Sequence, residues 1–183
     1  MAGPRILAVS GSLRTGGFNR KLLEVAVQHA RSLGAEVDVV DLKALNLPFY
    51  DGDVEAAGLP APVTELRERL GKAQGLLISS PEYNSSIPGG LKNAIDWVSR
   101  PPGRLFHEKW AAMMGATPGV FGTSRMQPHL RQVLSSTGVH VLPAQVHLPK
   151  AMEAFTPEGK LKEEARQKEV ETLVAALVSK LKG

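Results

Sequence analysis

No cysteine occurs in the 183 residues. Disulfides, thiolate metal sites and cysteine nucleophiles are therefore excluded, including the phosphatase type that also uses a strand–loop–helix phosphate site. No apolar run approaches the roughly 18 residues that a membrane-spanning helix needs. The start, MAGPRILAVSGS, has an apolar stretch too short for a signal peptide, and its polar residues come too early. Aromatic residues make up only 5% of the chain and no block of five Lys or Arg occurs. A base-stacking platform for nucleic acid is hard to build from that composition. The five histidines are dispersed and never form H-x-x-x-H, which weighs against zinc. Neither G-x-x-x-x-G-K-[ST] nor G-x-G-x-x-G is present, so a Walker loop and the dinucleotide fingerprint are both absent. There is no internal repeat and no low-complexity segment.

The hydrophobic fraction of 43%, the charged fraction of 22% and the length fit one soluble domain spanning 1–183. A cytoplasmic enzyme or carrier is the expectation. The net charge of +4 is spread along the chain and suits attraction of phosphorylated small molecules.

Apolar periodicity divides the sequence into alternating strands and helices. Strands are expected at 5–10, 36–41, 73–79, 109–117 and 139–148, the last interrupted at Pro143. Helices are expected at 18–33, 63–72, 89–98, 125–136 and 161–181, with Gly34 placed to end the first. Residues 42–61 read as a long irregular connection. Such alternation implies an α/β fold: a five-stranded parallel sheet with helices on both faces, a three-layer sandwich of order 2-1-3-4-5. Right-handed crossovers gather all the loops that follow strands on one edge.

Three of those loops are rich in glycine and small polar residues. In 10–19, SGSLRTGGFN leaves a strand and feeds a helix, so backbone N–H groups and the helix dipole favour an anion. Ser10, Ser12, Thr15 and Asn19 offer neutral donors, and Arg14 a charge. The bland alternative is a glycine turn with a capping hydroxyl. In 81–93, PEYNSSIPGGLKN, Pro81 and Pro88 stiffen the backbone, while Tyr83, Asn84, Ser85 and Ser86 suit the edge of a flat heterocycle. Here the alternative is a turn in which Tyr83 packs on the protein and Asn84 caps a helix. In 116–125, the small residues Ala116 and Thr117 leave room for a planar ligand on the other side, unless the segment is an ordinary lead-in to a helix. Glu82 as a lone carboxylate is weak support for acid–base catalysis.

GSLRTGGFN at 11–19, followed by SSPEYNSSIPGGLKNAIDW at 79–97, resembles the NAD(P)H-dependent FMN reductase family of chromate, quinone and azo-dye reductases. LNLPFYDGDVE at 45–55 is similar to that family's loop after the second strand, and the resemblance covers residues 6–142. It implies a flavodoxin-like fold, non-covalent FMN at the strand ends and NAD(P)H as electron donor to a small-molecule acceptor. It implies that Ser12, Arg14 and Asn19 hold the phosphate. It further implies that Pro81, Glu82, Tyr83, Asn84 and Ser85 line the isoalloxazine, with Ala116 and Thr117 on its other edge. No catalytic side chain and no metal are implied, because the flavin carries the chemistry. A homodimer or homotetramer is implied, with Trp97 and the 42–61 loop as candidate subunit contacts. One departure stands out: where the family often has Ser before the aromatic and Asn, this chain has Gly17. A flavodoxin-type carrier without NAD(P)H turnover is the alternative, and carriers of that kind tend to be acidic, unlike this chain. A third reading is a small regulatory protein that binds a phosphorylated ligand.

Overall fold

β1 (Arg5–Ser10) is buried at every position but its first, as is expected of a strand covered on both faces. β3 (Gly75–Ser79) is buried throughout and β4 (Trp110–Ala116) at all but its first residue. β2 (Glu36–Val40) and β5 (His140–Leu148) are partly exposed, which marks them as the edges. The structure, a computed structural model, describes residues 3–183. Its five strands are all parallel in the order β2-β1-β3-β4-β5, the expected flavodoxin-like arrangement. β1 pairs with β2 on one side and β3 on the other, so the strand order reverses there.

Alternate residues of the central strands feed two separate cores. Ile6, Ala8, Leu77, Ala112 and Met114 face α1 (Phe18–Ser32) and α8 (Glu164–Lys182), which contribute Leu22, Ala26, Val170, Val174 and Leu177. Leu7, Val9, Leu76, Ile78 and Met113 face the opposite layer. That layer is α4 (Ala61–Lys72), α5 (Gly89–Val98) and α6 (Met126–Ser136), with Leu66, Leu70, Leu91, Ile95, Leu130 and Leu134 inward. Gly34, in the left-handed region at φ 86°, follows the C-cap of α1. Among the described residues no helix is long and apolar enough to cross a membrane.

Three expectations change. Residues 42–61 are not simply irregular: they carry α2 (Leu42–Leu45) and α3 (Gly52–Ala57). Asp41 caps the first by accepting from the Lys43 and Ala44 amides, and Asp51 caps the second by accepting from Asp53 N–H. α5 holds the segment down. Asn93 accepts from Tyr50 N–H at 2.8 Å and donates to Pro48 O at 2.8 Å, while Trp97 Nε1 donates to the same carbonyl at 2.8 Å. Trp97 is 0% exposed and meets Tyr50 edge-on, so it is core and not a surface for subunit contact. Finally, β5 is not broken at Pro143. It absorbs the proline in a bulge, where the register to β4 shifts between Ala111 and Met113. Being an edge strand, it tolerates the missing N–H. α7 (Ala151–Ala154) is a short turn in the connection to α8.

Candidate functional site

The C-terminal ends of β1, β3 and β4 are stitched together by their own backbones. Gly11 N–H donates to Ser79 O at 2.9 Å and Ser80 N–H to Met114 O at 3.0 Å. A Cβ at Gly11 would collide with the Ser80 side chain, so glycine is what lets the loops after β1 and β3 touch. The expected proximity of the 10–19 and 81–93 loops is thereby met.

The 11–17 loop is folded tightly on itself. Ser10 Oγ accepts from Ser12 N–H at 3.2 Å, Ser12 Oγ accepts from Arg14 N–H at 3.3 Å, and Gly17 N–H donates to Arg14 O at 3.2 Å. Gly17 is the N-cap of α1, and no side chain caps that helix. The Phe18 and Asn19 amides at the start of α1 therefore have no protein acceptor among the described residues, the arrangement that binds anions. The Arg14 guanidinium is exposed and has no hydrogen-bond partner among the described residues. From α2, Lys43 Nζ donates to Thr15 Oγ1 at 3.2 Å.

Asn19 turns its side chain into the protein. Its side chain is buried, the residue being 3% exposed. Nδ2 donates to Ala116 O at 2.8 Å, and Oδ1 accepts from Ala116 N–H at 2.9 Å and Ser79 Oγ at 3.1 Å. The amide is a strut between α1 and the ends of β3 and β4; only the backbone N–H of Asn19 remains for a ligand.

The Glu82 side chain is likewise engaged by the protein. Its carboxylate turns away from the loop surface and sits on the start of α6. Oε2 accepts from Arg125 N–H at 3.0 Å and Met126 N–H at 3.1 Å, and Oε1 pairs with the Arg125 guanidinium at 2.7 Å. This places a carboxylate on a helix N-terminus, where the dipole favours it. The side chain locks the 81–88 loop to the 117–125 loop.

The residues that follow do present themselves. Tyr83 and Ser86 exchange two backbone hydrogen bonds, Ser86 N–H to Tyr83 O at 3.0 Å and Tyr83 N–H to Ser86 O at 3.1 Å. Between them Asn84 and Ser85 both lie in the left-handed region, at φ 49° and 64°. This is a type I′ turn. Asn tolerates that conformation and Ser less so, and local strain of this kind collects at ligand sites. The turn leaves Tyr83 51% exposed, with Asn84 and Ser85 open at its tip. His129 of α6 braces it, with Nδ1 3.0 Å from Ser86 Oγ. Pro81 and Pro88 are buried at the two ends of the segment, and Pro88 is the N-cap of α5.

On the other side, Ala116 is buried against Asn19, and Thr117 Oγ1 donates to Gly122 O at 2.7 Å, which shapes the turn. Beyond it Val120 and Phe121 are exposed, the latter 64%, and the Arg125 guanidinium lies 5.2 Å from the Phe121 ring centroid. Behind the loop, burial pushes the His147 imidazole below its ordinary range, partly offset by Glu169.

The sequence reading missed several of these residues. Lys43, Arg125 and the exposed Leu13, Phe49, Val120 and Phe121 were not singled out. The apolar four had a signal, large hydrophobics inside glycine-rich or proline-rich loops. Lys43 and Arg125 had none, because their partners lie 28 and 43 residues away.

A helix start with no capping side chain, just after a loop that carries an unpaired guanidinium, fits a phosphate monoester. A stiff turn and a small-residue strand end a short distance along the same edge fit a planar ring. Among the described residues no group of three or more metal-ligating side chains occurs. The residues present fit a flavin mononucleotide.

Comparison with known proteins points to the same cofactor. Residues 4–153 match the sequence model of a family described as NADPH-dependent FMN reductase. The chain is 40% identical over 183 residues to an NAD(P)H-dependent FMN reductase of Pseudomonas aeruginosa, covering 98% of this chain and 97% of that one. It is 38% identical over 188 residues to an NAD(P)H:quinone oxidoreductase of Solanum tuberosum, covering 98% and 95%. Among solved structures, the flavoenzyme NAD(P)H:(acceptor) oxidoreductase FerB of Paracoccus denitrificans superposes with a TM-score of 0.88. It is 31% identical, with 98% of this chain and 97% of that one covered.

Proposed function

The chain belongs to the NADPH-dependent FMN reductase family, and from that premise we propose how its residues divide the work. The protein is an FMN-dependent NAD(P)H oxidoreductase. When bound, FMN supplies the redox chemistry, taking hydride from NAD(P)H and passing electrons to an acceptor. What the chain supplies is position. Ser12, Arg14 and the first backbone amides of α1 hold the phosphate. Pro81, Tyr83, Asn84 and Ser85 border one edge of the ring system, and Ala116 and Thr117 the other. Asn19 and Glu82 act behind them, each tying two loops together. The acceptors are quinones and similar flat oxidants, a reading supported by relatives named for quinones.

The observation that carries this assignment is the uncapped start of α1 next to unpaired Arg14, on the sheet edge that also presents the Tyr83–Ser86 turn. The exposed apolar side chains Leu13, Phe49, Tyr83, Val120 and Phe121 support a homodimer or homotetramer in which a second copy covers part of this rim. A cytoplasmic location is consistent with a chain that has no cysteine.

The test is direct. Purified protein carries flavin absorbance, and on its own it oxidises NADPH when a quinone is supplied. Protein that holds flavin but consumes NADPH only after a separate reductase is added is a carrier, and the assignment fails. Protein that shows no FMN binding in a fluorescence titration also sinks it.

A further inference from the structure

The cofactor phosphate meets more than its own loop. A phosphate monoester carries between −1.5 and −2 charges near neutral pH and offers three strong acceptor oxygens. Within the 11–17 loop the one cation is Arg14. Three more basic side chains stand close in sequence or space, and they are not equivalent. Arg20, in the first turn of α1, is held at 2.7 Å by Asp41 Oδ2. That carboxylate is pulled below its ordinary range, chiefly by Arg20, which marks the pair as charged at neutral pH. Lys21 turns the other way, its ammonium 5.9 Å from the Phe155 ring centroid. Lys43 alone reaches over the loop.

The placement of Lys43 follows from Asp41. The same carboxylate that neutralises Arg20 with Oδ2 caps α2 with Oδ1, accepting from Lys43 N–H at 2.9 Å and Ala44 N–H at 3.3 Å. The first turn of α2 is thus fixed against α1, and the Lys43 side chain extends to Thr15 Oγ1 at 3.2 Å. A neutral hydroxyl is its one partner among the described residues; it forms no salt bridge there. An ammonium has three donors, so two remain. Thr15, which holds the ammonium, is two residues before Gly17, the N-cap of a helix start that has no capping side chain because residue 17 is glycine. A Cβ at Gly17 would sit 3.2 Å from Arg14 O and 3.3 Å from Ser12 Oγ, a close approach that a small shift of the loop would relieve.

Resting on the phosphate-loop reading above, we infer that Lys43 is a phosphate ligand delivered from outside the loop, taking the place of the hydroxyl donor that Gly17 does not supply. The phosphate is then held by two cations, Arg14 from within the loop and Lys43 from α2, with the α1 amides at its base. Arg20 is withheld from it by Asp41.

Binding, not turnover, tests this. Full-length protein stripped of flavin is titrated with FMN and with riboflavin, following flavin fluorescence, for wild type, Arg14→Ala, Lys43→Gln, Lys43→Arg and the double variant Gly17→Ser/Lys43→Gln. Lys43→Gln is expected to raise the FMN Kd about tenfold, the scale of one charge-assisted hydrogen bond, and to leave riboflavin unchanged. Lys43→Arg retains most of the FMN affinity. Gly17→Ser recovers part of what Lys43→Gln loses, again for FMN only. Thermal unfolding midpoints close to wild type show that the variants fold. The inference is overturned if Lys43→Gln weakens both ligands equally or neither. The replacement of the hydroxyl is overturned if Gly17→Ser restores nothing. If Arg14→Ala also fails to separate FMN from riboflavin, the phosphate-loop reading falls; if Arg14→Ala separates them and Lys43→Gln does not, only the role of Lys43 falls.

Discussion

Arg14 and Asn19 are five residues apart and do opposite things. Arg14 points out of the loop with nothing to hold, and Asn19 points in with its amide tied up. Their substitutions should therefore read differently. Arg14→Ala removes a contact to phosphate alone, so FMN affinity falls by about tenfold or more while riboflavin affinity is unchanged. A fluorescence titration with both ligands checks it. Asn19→Ala leaves buried partners at Ala116 and Ser79 unsatisfied, and stability falls by about 2–3 kcal/mol. Urea denaturation gives that value, and the drop in midpoint separates this variant from Arg14→Ala, which removes no contact within the folded chain. Nothing in the sequence near Asn19 distinguishes a ligand donor from a strut; what decides it is Ala116, 97 residues on. The same holds for Glu82, whose partner amides are more than 40 residues away.

The elements were more legible, since each is dictated by its own short pattern. β1, β3 and β4 announce burial by uninterrupted apolar runs, and α1 by a spaced apolar face ending at Gly34. Leu77 in β3 is fully buried between layers, whereas Val39 in edge strand β2 is 43% exposed. Leu77→Ala is expected to destabilise by about 2–5 kcal/mol. Val39→Ala should cost about 1 kcal/mol or less, since half its surface already meets water. Paired denaturation curves test the contrast. The two short helices in 42–61 escaped notice because each is a turn or so long and has no periodic face. Asp41 and Asp51 were the available signal: an aspartate placed to accept from amides two or three residues on. Pro143 pointed to a broken strand, but a proline is harmless on the outer side of an edge, and β5 takes it in a bulge.

At the scale of the whole molecule, the sheet order and the edge that carries the site followed from strand–helix alternation and handedness, so architecture was readable without any contact being known. Acid stability is a property of this scale too. His147 packs behind the 117–125 loop, and burial holds its folded-state pKa below the unfolded value near 6.5. The unfolded chain then binds the proton first. The stabilisation is fully present above about pH 6.5 and is lost as pH falls through the folded-state pKa. Urea midpoints should therefore drop between pH 7.5 and 5.5, and His147→Gln should flatten that drop. An unchanged slope in the variant would assign the acid sensitivity to other groups.

The Asn19 amide has one more consequence. It fastens the start of the helix that faces the phosphate to the strand end that borders the ring. The distance between those two points is then set by the folded chain before any cofactor arrives. Asn19 acts as a ruler for the tether that joins a ring to its phosphate. Analogues with a shortened or lengthened side chain between isoalloxazine and phosphate should lose affinity even though both of their ends are intact, and a variant that frees the strut should tolerate the wrong lengths better.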